Sequence, residues 1–298
     1  MAEPLFDGVR GIIADRDRMF RHTLHSMLRP LGFASLGHTD NLDDIRDAVA
    51  DGHLDLLVAD IGVGEDGLPD LVHRIRHGHL GSNPFLVVVI LAADPGPATV
   101  RRIIDCGSDV VLLKPMSAGA LIERLRNLSA NRKSFVVTTD YVGPDRRTSP
   151  RPGNQEIPLI EVPNPLSPNE RADSPAFQRA TEAAIRRINE EKVQRHAFQI
   201  GYLINRIAPA YLIGDPVETI RADLDRLLWV VEDLARRLPE TRCAHLVQIC
   251  GSVRQVAERV HARIEKPDEK DVRMMPELAS TLRKACEAAG SVPAASAG

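Results

Sequence analysis

The fold class predicted here is an α/β doubly wound parallel sheet of five strands followed by an all-α helical bundle. Three observations carry it. Short apolar runs alternate with amphipathic stretches over the first 130 residues. Prolines then break the chain at 144, 150, 152, 158, 163, 165 and 168. After Asp173 the apolar residues recur at spacings of three and four almost to the end. A chain of 298 residues exceeds the usual single-domain size, so two domains are expected.

The elements follow in order. Gly11–Ala14 (GIIA) reads as a buried strand, and the next helix carries Met19, Phe20, Leu24, Met27, Leu28 and Leu31 on one face. A short edge-like strand is expected at Ala34–Gly37, and a core strand at Leu54–Ala59. Phe85–Leu91 (FLVVVIL) is apolar on both faces, as a central parallel strand requires. Val110–Leu113 is the last strand, and a helix over Ala120–Leu128 closes the unit. Strands alternating with helices imply right-handed crossovers. The domain limits are therefore 1–130 for the sheet, 131–172 for an extended proline-rich linker, 173–290 for the helical region and 291–298 for a disordered tail.

Within the helical region, Ser174-Pro175 and Asp215-Pro216 each fit an N-cap followed by the first helical position. The first helix runs through Phe177, Ala184, Ile188, Ile200, Leu203 and Ile207, long enough for a bundle or a dimerisation helix. The second carries Val217, Ile220, Leu224, Leu227, Val231 and Leu234, and the third Leu246, Cys250, Val253, Val256 and Val260. A shorter fourth helix is expected after Pro276.

In doubly wound sheets the functional site lies beyond the carboxyl ends of the strands. That rule selects Asp15, Arg16 and Asp17 after the first strand, Asp60 after LLVA, Leu91 and Ala92 at the end of the long strand, and Lys114 after VVLL. Carboxylates and one lysine thus converge on a single rim.

The runs IIADRDRMF, LLVADIGVGEDG, VVVILAA and GSDVVLLKPM resemble the receiver domain of two-component response regulators, a CheY-like, flavodoxin-like fold. The resemblance covers residues 9–130. It implies that Asp60 is the phosphoacceptor, attacking a phosphohistidine on a partner kinase. It further implies a Mg²⁺ held by Asp15 and Asp60, with Asp17 and the backbone carbonyl of Gly62 as further candidate ligands. Lys114 would contact the phosphoryl oxygens, with Pro115 in a cis bond after it. Four departures stand out. Arg16 occupies the place of a second acid, and arginine is no metal ligand. The loop IGVGEDG lacks the family's proline and is one residue short. The switch hydroxyl is replaced by Leu91 or Ala92, and the aromatic switch residue by Val111. A weak or atypical phosphoacceptor and a phosphate-independent pseudo-receiver scaffold therefore both stand as readings.

Other signals are weaker. His196, in RHAFQIG on a long helix, invites comparison with histidine phosphotransfer bundles but lacks the Leu-Lys-Gly continuation. Asp140–Arg147 (DYVGPDRR) is either a solvated turn or a motif that docks Tyr141 on the sheet domain while Arg146 and Arg147 meet acids. Arg147–Arg151 (RTSPR) fits the R-x-x-x-R pattern of cyclic-di-GMP-binding barrels without the strands that would follow it. His73 and His77 share a helix face at i, i+4 beside arginines, which favours a solvated face over a metal site.

Composition excludes several classes. A net charge of −3 gives no global pull toward nucleic acid, and 4% aromatic residues with a lone Trp229 argue against base-stacking platforms. Cys106, Cys243, Cys250 and Cys286 form no C-x-x-C pair and read as small buried hydrophobes in a reducing compartment. No apolar run reaches membrane-spanning length. The basic residues of the helical region are interleaved with acids, so DNA binding is not expected. The expectation is a cytoplasmic, non-enzymatic signalling protein. Its expected partners are a sensor histidine kinase or phosphotransfer protein, a downstream protein partner and a second copy in a homodimer.

Overall fold

Strands β1 (Arg10–Ala14), β2 (Ser35–Thr39), β3 (Leu56–Asp60), β4 (Val87–Ala93) and β5 (Val110–Lys114) form one parallel sheet in the order β2-β1-β3-β4-β5. The computed structural model describes residues 5–65, 67–147, 157–170 and 172–290. Two compact units divide the chain, Met1–Ile185 and Arg186–Gly298. In the first, helices α1 (Arg18–Leu28), α2 (Leu42–Ala50), α3 (Gly67–Arg76), α4 (Pro97–Asp105) and α5 (Ala118–Ala130) join and follow the strands.

The strand alternation divides the core into two layers. Leu57, Ala59, Val88 and Ile90 pack with Leu68, Leu71 and Ile103 on one side of the sheet. Leu56, Val58, Val87 and Val89 pack with Leu24, Leu28 and Leu121 on the other. Both faces of β3 and β4 are covered, which is why these strands read as unbroken apolar runs. Met19 and Met27, expected inward on α1, are exposed at 75% and 48%. Arg21 takes the inward place, donating to the Asp15 carbonyl and pairing with Asp40.

The stretch 131–172 is not an extended linker over its described residues. It packs on the first unit. Strands β6 (Phe135–Val137) and β7 (Val142–Pro144) pair as an antiparallel hairpin, and Ile160 bridges to Phe135 as a third line of chain. Its anchor is a buried cluster at the amino-terminal ends of β4 and β5. Asp109 accepts from Arg76 Nη2 at 2.8 Å, from Arg132 Nε at 2.9 Å and from the Val88 N–H at 2.9 Å. The remaining guanidinium N–H groups go to the carbonyls of Gly107, Pro84, Leu86, Phe85 and Pro163. Phe135 lies with its ring centroid 5.3 Å from one guanidinium carbon and 5.2 Å from the other. The described prolines are compatible with this: Pro144 sits in a short edge strand, and Pro163 in irregular chain offers its carbonyl to Arg132.

The DYVGPDRR motif packs on the sheet domain through Gly143 and Arg146, with contacts other than those expected: Tyr141 bonds within the motif and Arg146 meets Ser108, not an acid. Tyr141 Oη donates to the Pro144 carbonyl, and Arg146 donates to the Ser108 carbonyl and hydroxyl. Gly107, at φ +88°, meets Gly143 backbone to backbone; a Cβ on Gly143 would fall 2.8 Å from the Gly107 Cα. Arg147 pairs with Asp145. Further along, Asn164 Nδ2 caps the Leu128 and Ser129 carbonyls at the end of α5, and Leu166 enters the core. The R-x-x-x-R stretch beyond Arg147 and the 291–298 tail lie outside the described residues.

Helices α6 (Pro175–Ile213), α7 (Val217–Arg237), α8 (Val247–Ala262) and α9 (Glu269–Gly290) complete the chain, with the unit boundary falling within α6. The second unit's core is Ile200, Leu203, Ile207, Leu224, Leu227, Val231, Val253, Val260 and Leu282. Cys243, Cys250 and Cys286 are among its buried residues, and all four cysteines are free. Two helix starts differ from expectation. Pro216 itself, not Asp215, is the N-cap of α7. The fourth helix begins at Glu269 and carries Pro276 inside it. Asp268 accepts the Lys270 N–H there, and Glu269 and Asp271 place acids in the first turn, a start signal that precedes the proline.

Candidate functional site

Asp15, Asp60 and Lys114 converge at the carboxyl ends of β1, β3 and β5. Parallel pairing sets this: Ala14 is in register with Ala59, Asp60 with Leu91, and Ala93 with Lys114. Lys114 Nζ donates to Asp15 Oδ2 and to Asp60 Oδ2, each at 2.5 Å. Its ammonium also lies 4.5 Å from the centroid of Phe20 on α1. Burial alone would lower the lysine pKa; the hydrogen bonds and charges of Asp15 and Asp60 outweigh it and hold the ammonium above its ordinary value. The Lys114-Pro115 bond is cis.

The other two carboxylate oxygens are engaged as well. Asp15 Oδ1 accepts from the Asp17 N–H at 2.8 Å, and Asp60 Oδ1 from the Gly62 N–H at 2.8 Å. Gly62 thus meets Asp60 through its N–H. A Cβ on Gly62 would lie 3.0 Å from Asp60 Oδ1, so the position favours glycine. Asp15 is buried, while Asp60 and Lys114 keep 16% and 17% of their side-chain surface open, enough for an approaching group to reach both.

Asp17 has one carboxylate oxygen committed elsewhere. It is the N-cap of α1, its Oδ1 accepting from Met19 N at 2.8 Å and Phe20 N at 3.1 Å. Arg16 is exposed on the rim. Leu91 and Ala92 are fully buried and Val111 partly so, all apolar. Among the described residues no three His, Cys, Asp or Glu side chains converge as metal ligands. The donor set offers two carboxylates, both bridged by an ammonium, and the residue after Asp15 is an arginine, which offers no oxygen. It does not fit a divalent cation.

His196 sits where a phosphotransfer histidine would not work. It is 0% exposed, and its Nε2 bonds Asp233 Oδ2 at 2.7 Å. Arg236 and Arg237 hold the same carboxylate, and Arg237 extends the network to Asn189. The alternative of phosphate carried on this histidine fails on burial. His77 is also buried, not solvated, with its ring 3.9 Å from that of His73 in a stack. Reasoning from sequence placed Phe20 on the apolar face of its helix but not at the site, and missed Arg21 and the Arg76–Asp109–Arg132 cluster. Of these, Arg21 left a signal, three residues before Leu24 and seven before Leu28 on the inward stripe.

With this geometry established, the comparisons with known proteins align with it. The family model of the response regulator receiver domain matches residues 12–126. The sensory/regulatory protein RpfC of Xanthomonas campestris pv. campestris, in two strains, is 26% identical over 135 residues, 45% of this chain and 18% of that protein. This chain therefore spans less than a fifth of the length of those relatives. Among solved structures, the RcsB response regulator of Salmonella typhimurium, studied for its DNA interaction, is 15% identical and covers 76% of this chain and 92% of its own. Its TM-score of 0.36 is too low to bear on the arrangement of either unit. No helix among the described residues is long and apolar enough to cross a membrane.

Proposed function

Residues 12–126 are a response regulator receiver domain, and from that premise we propose that this protein is a signalling response regulator whose Asp60 accepts a phosphoryl group. The donor is a phosphohistidine on a sensor kinase or phosphotransfer protein. One Asp60 carboxylate oxygen attacks phosphorus; the O–P bond forms as the N–P bond breaks, and the imidazole leaves with the electron pair and takes a proton from solvent. Lys114 is placed to meet the transferring oxygens. The observation that carries the reading is the half-open Asp15–Lys114–Asp60 cluster, with the lysine at 2.5 Å from both acids.

The output runs through protein contacts of the helical unit. Several of its arginines pair with acids of the same unit, Arg206 with Asp223, Arg242 with Glu190, Arg259 with Asp271 and Arg254 with Glu258, so basic and acidic side chains are interleaved on its surface. Phe198, Tyr202 and Ile213 stand exposed on α6 at 63%, 50% and 74%, apolar surface of the kind a protein partner covers. The protein acts as a switch in the cytoplasm and turns over no substrate of its own. A phosphate-independent scaffold is the second reading, favoured by the apolar Ala92 and Val111 where a phosphate-sensing hydroxyl and aromatic would stand.

Incubation with acetyl phosphate, followed by intact-mass measurement and peptide mapping, tests the first reading. One added phosphoryl group on the peptide carrying Asp60, absent in Asp60→Ala, is the expected result. A wild type that takes no label would leave the scaffold reading. Sedimentation equilibrium of the full chain tests the homodimer, and duplex DNA titration at physiological salt tests the exclusion of nucleic acid.

A further inference from the structure

We propose that this receiver pocket binds no divalent cation and that Arg16 supplies the positive charge in its place; the proposal rests on the receiver reading above. The charges decide it. Asp15 and Asp60 contribute two negative charges, and Lys114 bridges them with one positive charge. A carboxylate at position 16 would leave the site at minus two, the charge that attracts a divalent ion. Arginine at that position, adjacent in the chain to Asp15, brings the sum to zero and offers no oxygen ligand. The neighbouring acids do not restore the deficit. Asp17 has its Oδ1 on two backbone N–H groups at the start of α1, where the helix dipole favours its charge. Asp40 is paired with Arg21 at 3.3 Å.

The second half of the inference concerns what the pocket receives. A phosphoryl group on Asp60 would meet Lys114, and Arg16, exposed and next in the chain after Asp15, would supply the second cation. Guanidinium groups match phosphoryl oxygens in geometry and stay charged at every physiological pH. The pocket is thus built to neutralise a tetrahedral oxyanion with two side-chain cations.

Two measurements on the full-length protein test this. In the first, Mg²⁺ and Mn²⁺ are titrated calorimetrically into wild type, Arg16→Asp and the double variant Arg16→Asp/Asp60→Ala. The expected result is no binding to wild type at millimolar ion, binding to Arg16→Asp, and loss of that binding in the double variant. Saturable Mg²⁺ binding to wild type that Asp60→Ala abolishes would overturn the proposal, and so would absence of binding in a folded Arg16→Asp. In the second, acetyl phosphate labelling is compared in EDTA and in Mg²⁺. Wild type should label equally in both. Arg16→Ala should lose at least about tenfold of the EDTA rate, the loss of one charge-assisted contact. Labelling of wild type only in Mg²⁺ would also overturn the proposal. A wild type that binds no metal and takes no label would remove the phosphoacceptor reading while leaving the metal-free pocket standing. Circular dichroism of each variant shows that it is folded; Arg16 is exposed, so its replacement leaves the core intact.

Discussion

Opposite ends of β5 carry two clusters of the same chemistry, acids bound by cations, put to different ends. Asp109 just before the strand is sealed with Arg76 and Arg132, its side chain and that of Arg76 at 1% and 0% exposure. Lys114 at the strand's end holds Asp15 and Asp60 in a half-open pocket. The five residue steps between them span about 17 Å of extended chain. At the sealed end every guanidinium N–H set meets carbonyls and one carboxylate, with an aromatic ring beside both cations. At the open end one ammonium is shared by two acids and solvent reaches the shared edge. Burial with complete satisfaction makes an anchor; partial exposure with a charge left to share makes a site for chemistry.

Breaking the anchor should have the largest effect. Asp109→Ala leaves two buried arginines without their carboxylate, and removing one partner of such a cluster costs about 3–5 kcal/mol. Burial raises the Asp109 carboxyl, but the two arginines outweigh it and hold the pKa below its ordinary value, so the group is charged in the fold. Hydrogen exchange of β4 and β5 amides reports this unit, while Trp229, the lone tryptophan, reports only the helical unit. Exchange should quicken with unchanged tryptophan fluorescence. The corresponding change at the open end, Asp60→Asn, should alter stability by less than about 0.5 kcal/mol while abolishing phosphorylation, because its partner Lys114 keeps Asp15 and solvent.

That asymmetry also marks what the sequence discloses. The strands were legible because burial on both faces demands unbroken apolar runs, and the open site because doubly wound sheets put chemistry at strand carboxyl ends. Asp15, Asp60 and Lys114 each follow such a run. The anchor was not legible. Asp109 looks like any turn residue, and its partners lie 33 residues before it and 23 after. The proline-rich composition of 131–172 describes local chain stiffness and carries no record of the tertiary contacts that Arg132, Phe135 and Asn164 make. Two roles did leave a signal: Asp17 directly precedes a helix, an N-cap position, and His196 stands three residues after Val193 and four before Ile200, on the buried stripe.

Phe135→Ala should follow in size, at about 3 kcal/mol, since a fully buried ring beside two guanidinia is lost. Chemical denaturation monitored by exchange at β4 would detect it. An effect confined to the hairpin, with β4 unchanged, would mean that the hairpin decorates the sheet without anchoring to it. Asp17→Ala should cost about 1 kcal/mol as a lost helix cap. It should leave Mg²⁺ titrations of wild type and Arg16→Asp unaltered; a loss of metal binding in Arg16→Asp/Asp17→Ala would show instead that Asp17 is a ligand.

The smallest effect at neutral pH belongs to the helical unit, whose own buried carboxylate has a titratable partner where Asp109 has arginines alone. Burial lowers the His196 pKa below its ordinary value of 6.5; Asp233 opposes this, while Lys192 and Arg237 add to it. Folded His196 is therefore neutral at pH 7, and the unfolded state binds the proton first as pH falls. A group with a depressed folded pKa contributes stability above its unfolded pKa and loses it below. The helical unit should accordingly hold constant stability near pH 7 to 8 and weaken below pH 6.5, by at most about 1.4 kcal/mol per pH unit for one proton. Asp233, held far below the carboxylate range by His196 and Arg237 against its own desolvation, extends the loss to more acid pH. Trp229 packs edge-on against His196 at 6.1 Å, so its fluorescence follows this transition directly. In His196→Gln the step below pH 6.5 should vanish, leaving the acid limb set by Asp233. The sealed anchor at Asp109, cationic through arginine alone, should show no step in that window.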